Sequence, residues 1–174
     1  MKGRVVVVKE YGKPFEIQEY DVPEPENGAV LLRMTQAGIC GSDLHTWRAD
    51  QSQEHLPIPV NGRVMGHEGT GVIEVLSDNV ATDTLGTPVQ QGDRVIYSAV
   101  FPCNRCHLCL KGDTNWCANR EYPTAGVHPY FTGTYADFLY LPPRHPFFRV
   151  PDELPDEILG PVNCAMGTVT TGLQ

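Results

Sequence analysis

The sequence predicts a mainly β domain that carries a compact metal-binding lobe. Short apolar stretches bounded by glycine, proline and asparagine recur along the chain, which is typical of strands separated by turns. Four of the six cysteines fall between Cys103 and Cys117. The 174 residues are 41% hydrophobic, which is enough to form one buried core.

The predicted elements follow one another as strands, with helix only near the end of the chain. Apolar or alternating runs predict strands at 4–9, 15–20, 29–41, 71–76, 92–100 and 124–141. Residues 47–61 are polar and aperiodic, and predict a long surface loop. Acidic residues and prolines at 151–157, followed by small and apolar residues from Pro161, predict the helical segment.

The charge and the N-terminal residues exclude two classes of protein. The net charge is -8 and the basic residues are scattered singly, so a nucleic-acid-binding surface is not expected. The valine run near the start is only four residues long and is followed by charge, so it is neither a signal peptide nor a membrane span. We therefore expect a cytoplasmic protein with no membrane partner.

The dense cysteine loop predicts a structural zinc site. Its cysteines follow the spacing Cys-x2-Cys-x2-Cys-x7-Cys, and four thiolates fill the tetrahedral coordination of Zn²⁺ without leaving a position for substrate. Two disulfides are the alternative, but cysteines so close in sequence bridge poorly and nothing else indicates secretion. The four ligands are Cys103, Cys106, Cys109 and Cys117.

Three dispersed residues predict a second metal site of a different kind. Cys40, His67 and Cys164 each lie in or beside a glycine-containing turn. Taken singly, each is more simply a buried cysteine or a structural histidine. Taken together, two cysteines and one histidine form a three-ligand set that leaves a fourth position for water or substrate, as in catalytic zinc sites.

These motifs resemble, in the same order, those of the zinc-dependent medium-chain alcohol dehydrogenase family. The segment 38–45 (GICGSDLH) is similar to its Gly-x-Cys-Gly-[Ser/Thr]-Asp-x-His motif, and 66–71 to its Gly-His-Glu-x2-Gly signature. The loop 103–117 resembles its four-cysteine lobe. The runs 92–95 and 133–138 (GTYADF) extend the likeness over nearly the whole chain.

The resemblance implies that residues 1–174 form a GroES-like β-barrel catalytic domain. The structural zinc lobe then spans about 100–120. The catalytic zinc is held by Cys40, His67 and Cys164, which gives two Zn²⁺ per chain with the structural ion.

The implied reaction is oxidation of an alcohol to an aldehyde or ketone, with a zinc-stabilised alkoxide and hydride transfer to NAD or NADP. Ser42 resembles the hydroxyl that takes the alcohol proton, and His45 the outer end of that relay. Glu68 is implied to lie close to the zinc, and Thr168 near the nicotinamide. Without the motif, a turn-capping serine and an exposed histidine are the simpler interpretations.

The family also implies a small-molecule alcohol or aldehyde substrate and a homo-oligomer, dimer or tetramer, at full length. Cys164 stands where polyol-type relatives use a carboxylate, which favours an alcohol or aldehyde over a sugar. The loop between Cys40 and His67 is long, and Gln51 to His55 resemble an insertion. Trp47 is a candidate for the wall of the substrate pocket, and Trp116 is expected to pack against the metal lobe.

A dinucleotide-binding Rossmann domain is not predicted within this sequence. A Gly-x-Gly-x2-Gly turn after a strand is missing, as is the alternation of strand and helix. The chain is therefore expected to be an amino-terminal fragment, inactive alone, in which residues 162–174 begin the linker to the missing half that binds NAD or NADP. An exposed apolar surface is expected where that half docks.

The alternative from another class is a stand-alone zinc-binding GroES-like interaction module without redox activity. Two ions per chain would favour the enzyme, and one ion held by the dense loop would favour the module. A zinc ribbon that binds nucleic acid is a third interpretation, against which the acidic charge argues. His55, His107, His128 and His145 are assigned no ligand role.

Overall fold

A computed structural model describes residues 1–50, 58–120 and 130–173, and these residues form a mainly β domain. Eight strands are found in this part of the chain, and all their pairings are antiparallel. Their bounds are β1 Lys2–Val8, β2 Glu16–Asp21, β3 Val30–Ala37, β4 Arg63–Val64, β5 Gly69–Leu76, β6 Arg94–Tyr97, β7 Phe138–Leu141 and β8 Phe147–Arg149. The predicted fold class is confirmed.

The strands form two sheets that share main-chain contacts along one segment. The smaller sheet has the order β2-β1-β4 and the larger one β7-β3-β5-β6-β8. The amide of Val6 donates to the carbonyl of Tyr135 at 2.8 Å, and that of Asp137 donates to Arg4 at 2.9 Å. Because Asp137 leads directly into β7, these hydrogen bonds join β1 to the edge of the larger sheet and close the barrel.

Strand β3 lies at the centre of the hydrophobic core. Its residues Val30, Leu31 and Leu32 are at most 2% exposed, so the first part of the strand is buried on both faces. Leu32 packs with Ile73 and Leu139 on one side, and Leu31 packs with Val5 and Phe131 on the other. The apolar run at 29–32 thus supplies two core clusters from one strand, as expected for a strand covered on both sides.

Helix α1, Gly41–Arg48, contradicts the expectation that helix occurs only near the end of the chain. The predicted strand 29–41 ends at Ala37, and Cys40 is instead the N-cap of α1. The Asp43 carboxylate accepts a hydrogen bond from the Cys40 amide at 2.9 Å, which satisfies one of the free donors at the helix start. The glycines at 38 and 41 concealed this capping signal. Trp47 and Arg48 consequently belong to a helix and not to the predicted loop.

The end of the chain is helical, as predicted, but in short and irregular pieces. A 3₁₀ turn spans Asp156–Ile158, a π-helical turn spans Val162–Met166, and helix α3 spans Gly167–Gly172. A further short helix, α2 at His107–Leu110, lies within the cysteine loop.

The strands near the end of the chain differ from the predicted ones. The run 124–141 predicts one strand, but of its described residues, 130–141, only Phe138–Leu141 forms a strand, β7. Strand β8 follows Pro146, and the prolines before it hid the strand signal. His55, His128 and the insertion at Gln51 to His55 lie outside the described residues. Among those described, no helix has the length and apolar character needed to cross a membrane.

His145 is a buried imidazole that connects β6 to the cysteine loop. Its ring lies 4.2 Å from that of Phe101 and 6.1 Å from that of Tyr97, measured between centroids. Its Nε2 lies 2.8 Å from the Ser98 carbonyl oxygen, so this nitrogen carries the proton and donates. Burial disfavours the charged form and lowers the pKa of His145 to about 4.

We predict that His145 makes the fold sensitive to acid. Its pKa in the folded chain is about 4, below the ordinary 6.5, so the unfolded chain binds the proton first as the pH falls. The stability contributed by neutral His145 is complete above pH 6.5 and is lost towards pH 4, by about 3 kcal/mol. Urea unfolding across this range measures the loss. His145→Gln keeps a donor for Ser98 but cannot titrate, so its unfolding free energy should fall less steeply; equal slopes would contradict the prediction.

Candidate metal centres

The four cysteines of the dense loop converge on one point. Their sulfur atoms all lie within 4.8 Å of one another. The Sγ atoms of Cys106 and Cys109 are 3.5 Å apart, those of Cys103 and Cys109 are 3.9 Å apart, and those of Cys106 and Cys117 are 3.9 Å apart. The sequence therefore predicted correctly which cysteines meet.

These separations fit a tetrahedral zinc site. With Zn–S bonds of about 2.3 Å, tetrahedral geometry places two ligand sulfurs about 3.8 Å apart. A disulfide needs a separation of about 2.05 Å, and all six cysteines are free. The disulfide alternative for this loop is therefore wrong in this structure. The donor set suits a thiophilic ion such as Zn²⁺.

The local backbone of the loop presents the sulfurs to one another. Cys106 caps helix α2, and the amide of Cys103 donates to the Cys117 sulfur at 3.3 Å. The backbone amides of Arg105 and Cys106 lower the pKa of Cys103 to about 6, which favours the thiolate that binds metal. Trp116 is 71% exposed, so the expectation that it packs against the lobe is wrong.

A second cluster brings together residues that are far apart in sequence. Ligand atoms of Cys40, His67, Glu68 and Cys164 lie within 4.8 Å of one another. The Sγ atoms of Cys40 and Cys164 are 3.8 Å apart, and Nε2 of His67 lies 3.3 Å from the Cys164 sulfur. The first separation equals that expected for two thiolates on one zinc ion, and the second is close to that expected for an imidazole and a thiolate, about 3.6 Å.

Each of these side chains is presented by a different element. Cys40 caps helix α1, His67 lies between β4 and β5, and Cys164 lies in the π-helical turn that precedes α3. Gly66 adopts φ +88°, and a Cβ atom there would lie 2.7 Å from the ring of Tyr135. Glycine is therefore needed for the sharp turn that delivers His67.

Asp43 is a site residue whose role the sequence did not indicate. It is 7% exposed, and its Oδ1 lies 3.5 Å from Nδ1 of His67. A carboxylate behind a metal-binding histidine orients the ring and leaves Nε2 for the metal. Asp43 lies in the motif 38–45, and its position three residues after Cys40, as in a capping box, was the available signal.

The pKa values of this cluster reflect the contact between Asp43 and His67. The hydrogen bond with Asp43 outweighs burial and raises the pKa of His67 to about 9. Burial raises the pKa of Asp43, but its contacts with His67, the Cys40 amide and Tyr135 outweigh this and lower it. Protons and metal ions therefore compete for His67.

A second pair of side chains holds the main chain at His67. The hydroxyl of Tyr97 and the side-chain amide of Asn163 both donate to the His67 carbonyl oxygen, at 3.1 and 3.0 Å. Asn163 directly precedes Cys164. The Asn163 hydrogen bond therefore connects the turn that carries His67 with the turn that carries Cys164, and the Tyr97 hydrogen bond connects the first of these turns with β6.

Ser42 and His45 both lie on helix α1, whose N-cap is Cys40. Burial raises the pKa of the Cys40 thiol, but hydrogen bonds with the side chain and backbone of Ser42 and with His67 lower it below its ordinary value. Ser42 thus touches the cluster directly. His45 is exposed, and its Nδ1 lies 2.9 Å from Oδ1 of Asp50.

Glu68 and Thr168 occupy different positions relative to the cluster. Glu68 is buried within it, and a Cβ atom at Gly38 would lie 2.6 Å from its Oε2. Thr168 is exposed on α3, where its hydroxyl donates to the carbonyl of Cys164 at 2.9 Å. The indole of Trp47, a candidate for the wall of the substrate pocket, contacts the turn between β1 and β2, where its Nε1 donates to the Lys13 carbonyl at 2.7 Å.

The chain is similar to known proteins along most of its length. The family model for the alcohol dehydrogenase GroES-like domain matches residues 26–152. The 5-exo-hydroxycamphor dehydrogenase of Pseudomonas putida is 37% identical over 158 residues, which cover 90% of this chain and 42% of that protein. The S-(hydroxymethyl)glutathione dehydrogenase of Synechocystis is 38% identical over 130 residues, covering 74% and 32%. The chain thus spans less than half the length of these relatives.

Solved structures show the same fold. An alcohol dehydrogenase from Thermotoga maritima aligns with a TM-score of 0.83 at 23% identity, covering 97% of this chain and 46% of that one. The alcohol dehydrogenase TADH from Thermus sp. ATN1 aligns with a TM-score of 0.76 at 26% identity, covering 98% and 46%. Because the family model matches residues 26–152, which is well over half of the sequence, the chain belongs to the alcohol dehydrogenase GroES-like domain family.

Proposed function

We propose that this chain is the catalytic, zinc-binding part of an NAD- or NADP-dependent alcohol dehydrogenase that oxidises an alcohol to an aldehyde or ketone. The observation that carries the proposal is the convergence of Cys40, His67 and Cys164 from three separate elements. Three such ligands are the set of a catalytic zinc site, because they leave a coordination position for substrate.

The roles of the site residues follow from their chemistry. Cys40, His67 and Cys164 would hold the ion, and a bound zinc ion acts as a Lewis acid that makes the hydroxyl of an alcohol more acidic. The hydroxyl of Ser42 then takes the proton from the alcohol, because it both accepts and donates. His45, exposed on the same helix, passes that proton to solvent.

Two further residues support this site in the proposal. Glu68 is buried beside the three ligands, where its carboxylate competes for the ion or orients a ligand. Thr168 lies one helical turn after Cys164 and faces the nicotinamide. The cluster of Cys103, Cys106, Cys109 and Cys117 has all four positions filled by sulfur and supports folding only.

The remainder of the enzyme lies outside this chain in the proposal. The relatives are more than twice as long as the matched segment, which agrees with a separate nicotinamide-binding half joined through residues 162–174. Large apolar side chains beside the cluster are exposed and suit contact with that half: Ile39, Leu44, Met166, Val169 and Leu173. A dimer or tetramer is proposed for the whole protein.

A small alcohol or aldehyde is the proposed substrate, since Cys164 takes the place of a carboxylate ligand. A reducing compartment, the cytoplasm, is the proposed location. Six free cysteines, grouped with metal-ligand spacing, support this location because they would be prone to pair in an oxidising compartment.

We predict two zinc ions per chain, which metal analysis of the purified chain measures directly. Cys40→Ser should lose one ion and keep the folded structure, since the remaining ligands bind weakly. Cys106→Ser should lose the other ion and reduce thermal stability strongly, because the lobe has little apolar core and depends on its metal. Cobalt substitution distinguishes the sites, since only the three-ligand site changes its absorption when imidazole is added.

One ion per chain, lost only in Cys106→Ser, would contradict the proposed enzyme function and favour a stand-alone zinc-binding module. Wild-type stability and metal content in Cys106→Ser would contradict the structural role of the lobe. Thr114→Ser provides the control within the same loop, because the half-buried Thr114 supplies no metal-binding atom to the cluster.

We predict that activity needs Ser42. This chain should replace the matching segment of the hydroxycamphor dehydrogenase, and the chimera should reduce NAD or NADP in the presence of primary or secondary alcohols. Ser42→Ala should lower kcat/KM about 100-fold while both zinc ions stay bound, since it removes a proton acceptor. Absorbance of the reduced nicotinamide measures the rate.

Thr46→Ala, one helical turn further along α1, is the matched control and should retain activity. A folded chimera with two zinc ions that oxidises none of the alcohols, 5-exo-hydroxycamphor included, would overturn the proposed activity. Equal losses in Ser42→Ala and Thr46→Ala would show that Ser42 has no special role.

A further inference from the structure

Tyr135 lies behind the three-ligand cluster and touches two of the turns that form it. Its hydroxyl lies 2.8 Å from Oδ2 of Asp43 and 3.2 Å from the carbonyl oxygen of Gly38. The shorter contact is the hydrogen bond that the single hydroxyl proton forms with the carboxylate. Gly38 is two residues before Cys40, so the tyrosine reaches the turn that presents this ligand.

Asp43 transmits this contact to two metal-binding residues. Its Oδ2 also accepts from the Cys40 amide at 2.9 Å, and its Oδ1 lies 3.5 Å from Nδ1 of His67. One buried carboxylate therefore orients both Cys40 and His67. Since Asp43 is 7% exposed, water has little access to replace a hydrogen bond that is lost.

The ring and main chain of Tyr135 hold the turn that carries His67. The Tyr135 amide donates to the Met65 carbonyl at 3.2 Å, and the ring lies against Gly66, where a Cβ atom would be 2.7 Å away. The carbonyl of Tyr135 accepts from Val6 in β1. Tyr135 is thus fixed by the barrel and does not move freely with the site.

We propose that Tyr135 is a positioning residue that fixes Asp43, and through it Cys40 and His67, in the geometry that binds the catalytic metal. This rests on the proposed function, because it requires a metal at the three-ligand cluster. Outer partners of metal ligands contribute about 10- to 100-fold to metal affinity. The hydroxyl acts through one intermediate residue, so we expect the lower end of this range.

Zinc release to a chromophoric chelator, followed on the full chain, tests the inference. Tyr135→Phe keeps the ring against Gly66 and removes only the hydroxyl. Its zinc affinity at the three-ligand site should fall about tenfold, while the four-cysteine site stays unchanged as an internal reference. Cadmium-113 NMR assigns each site, because the shift depends on the number of thiolate ligands.

Tyr140→Phe is the matched control. The hydroxyl of Tyr140 contacts Glu26, at 3.2 Å from its amide nitrogen and 3.3 Å from its carboxylate. This variant removes a buried phenol hydroxyl and should leave both metal affinities unchanged. Equal effects of the two variants on the three-ligand site would overturn the inference, since they would indicate a general loss of stability.

A double-mutant cycle tests whether Tyr135 acts through Asp43. Asp43→Asn alone should weaken the three-ligand site more than Tyr135→Phe, and adding Tyr135→Phe to it should cause little further loss. Losses that multiply fully would overturn the inference. If the wild-type chain binds two ions and Tyr135→Phe spares both, only the inference fails; if it binds one ion, the proposed function fails with it.

Discussion

The close contact between the turn at Gly66 and the segment at Tyr135 is the constraint on which the rest of the domain depends. Thr134 and Tyr135 donate amide hydrogen bonds to Gly66 and Met65, and a Cβ atom at Gly133 would collide with the Met65 carbonyl. The same segment bonds to β1 and continues into β7. Barrel closure and the placement of His67 are therefore set by the same few main-chain contacts, so damage to one should appear in the other.

The two metal centres differ in how much of the fold they need. The four-cysteine site spans fifteen residues, so closing its loop costs little entropy and its turns are local. The other site joins Cys40 to Cys164 across most of the chain and exists only when both sheets are formed. Metal binding at the four-cysteine site therefore depends only on the folding of the lobe, whereas metal binding at the dispersed site depends on the folding of the whole domain.

Acidic groups in the dispersed centre explain why it suits a cation. Asp43 and Glu68 are both buried, Glu68 beside two thiols, and the negative charge of a buried carboxylate is costly in a weakly polar environment. His67 offsets part of this charge when protonated, and a divalent ion would offset more. Metal and proton are alternative counter-charges here, so zinc affinity at this centre should weaken in acid.

The sequence by itself determined the mainly β class, and it predicted the clustered cysteines and the trio Cys40, His67 and Cys164, because spacing and glycine-bounded motifs are local properties of the chain. That the members of the trio lie close together in space was decided by the tertiary structure. The sequence did not reveal helix α1, whose cap depends on one aspartate, or the short β8 behind prolines. Only the tertiary structure decided that Trp116 is exposed and that Tyr135 contacts Asp43, 92 residues away. Contacts at such a distance arise from strand pairing, which periodicity cannot encode.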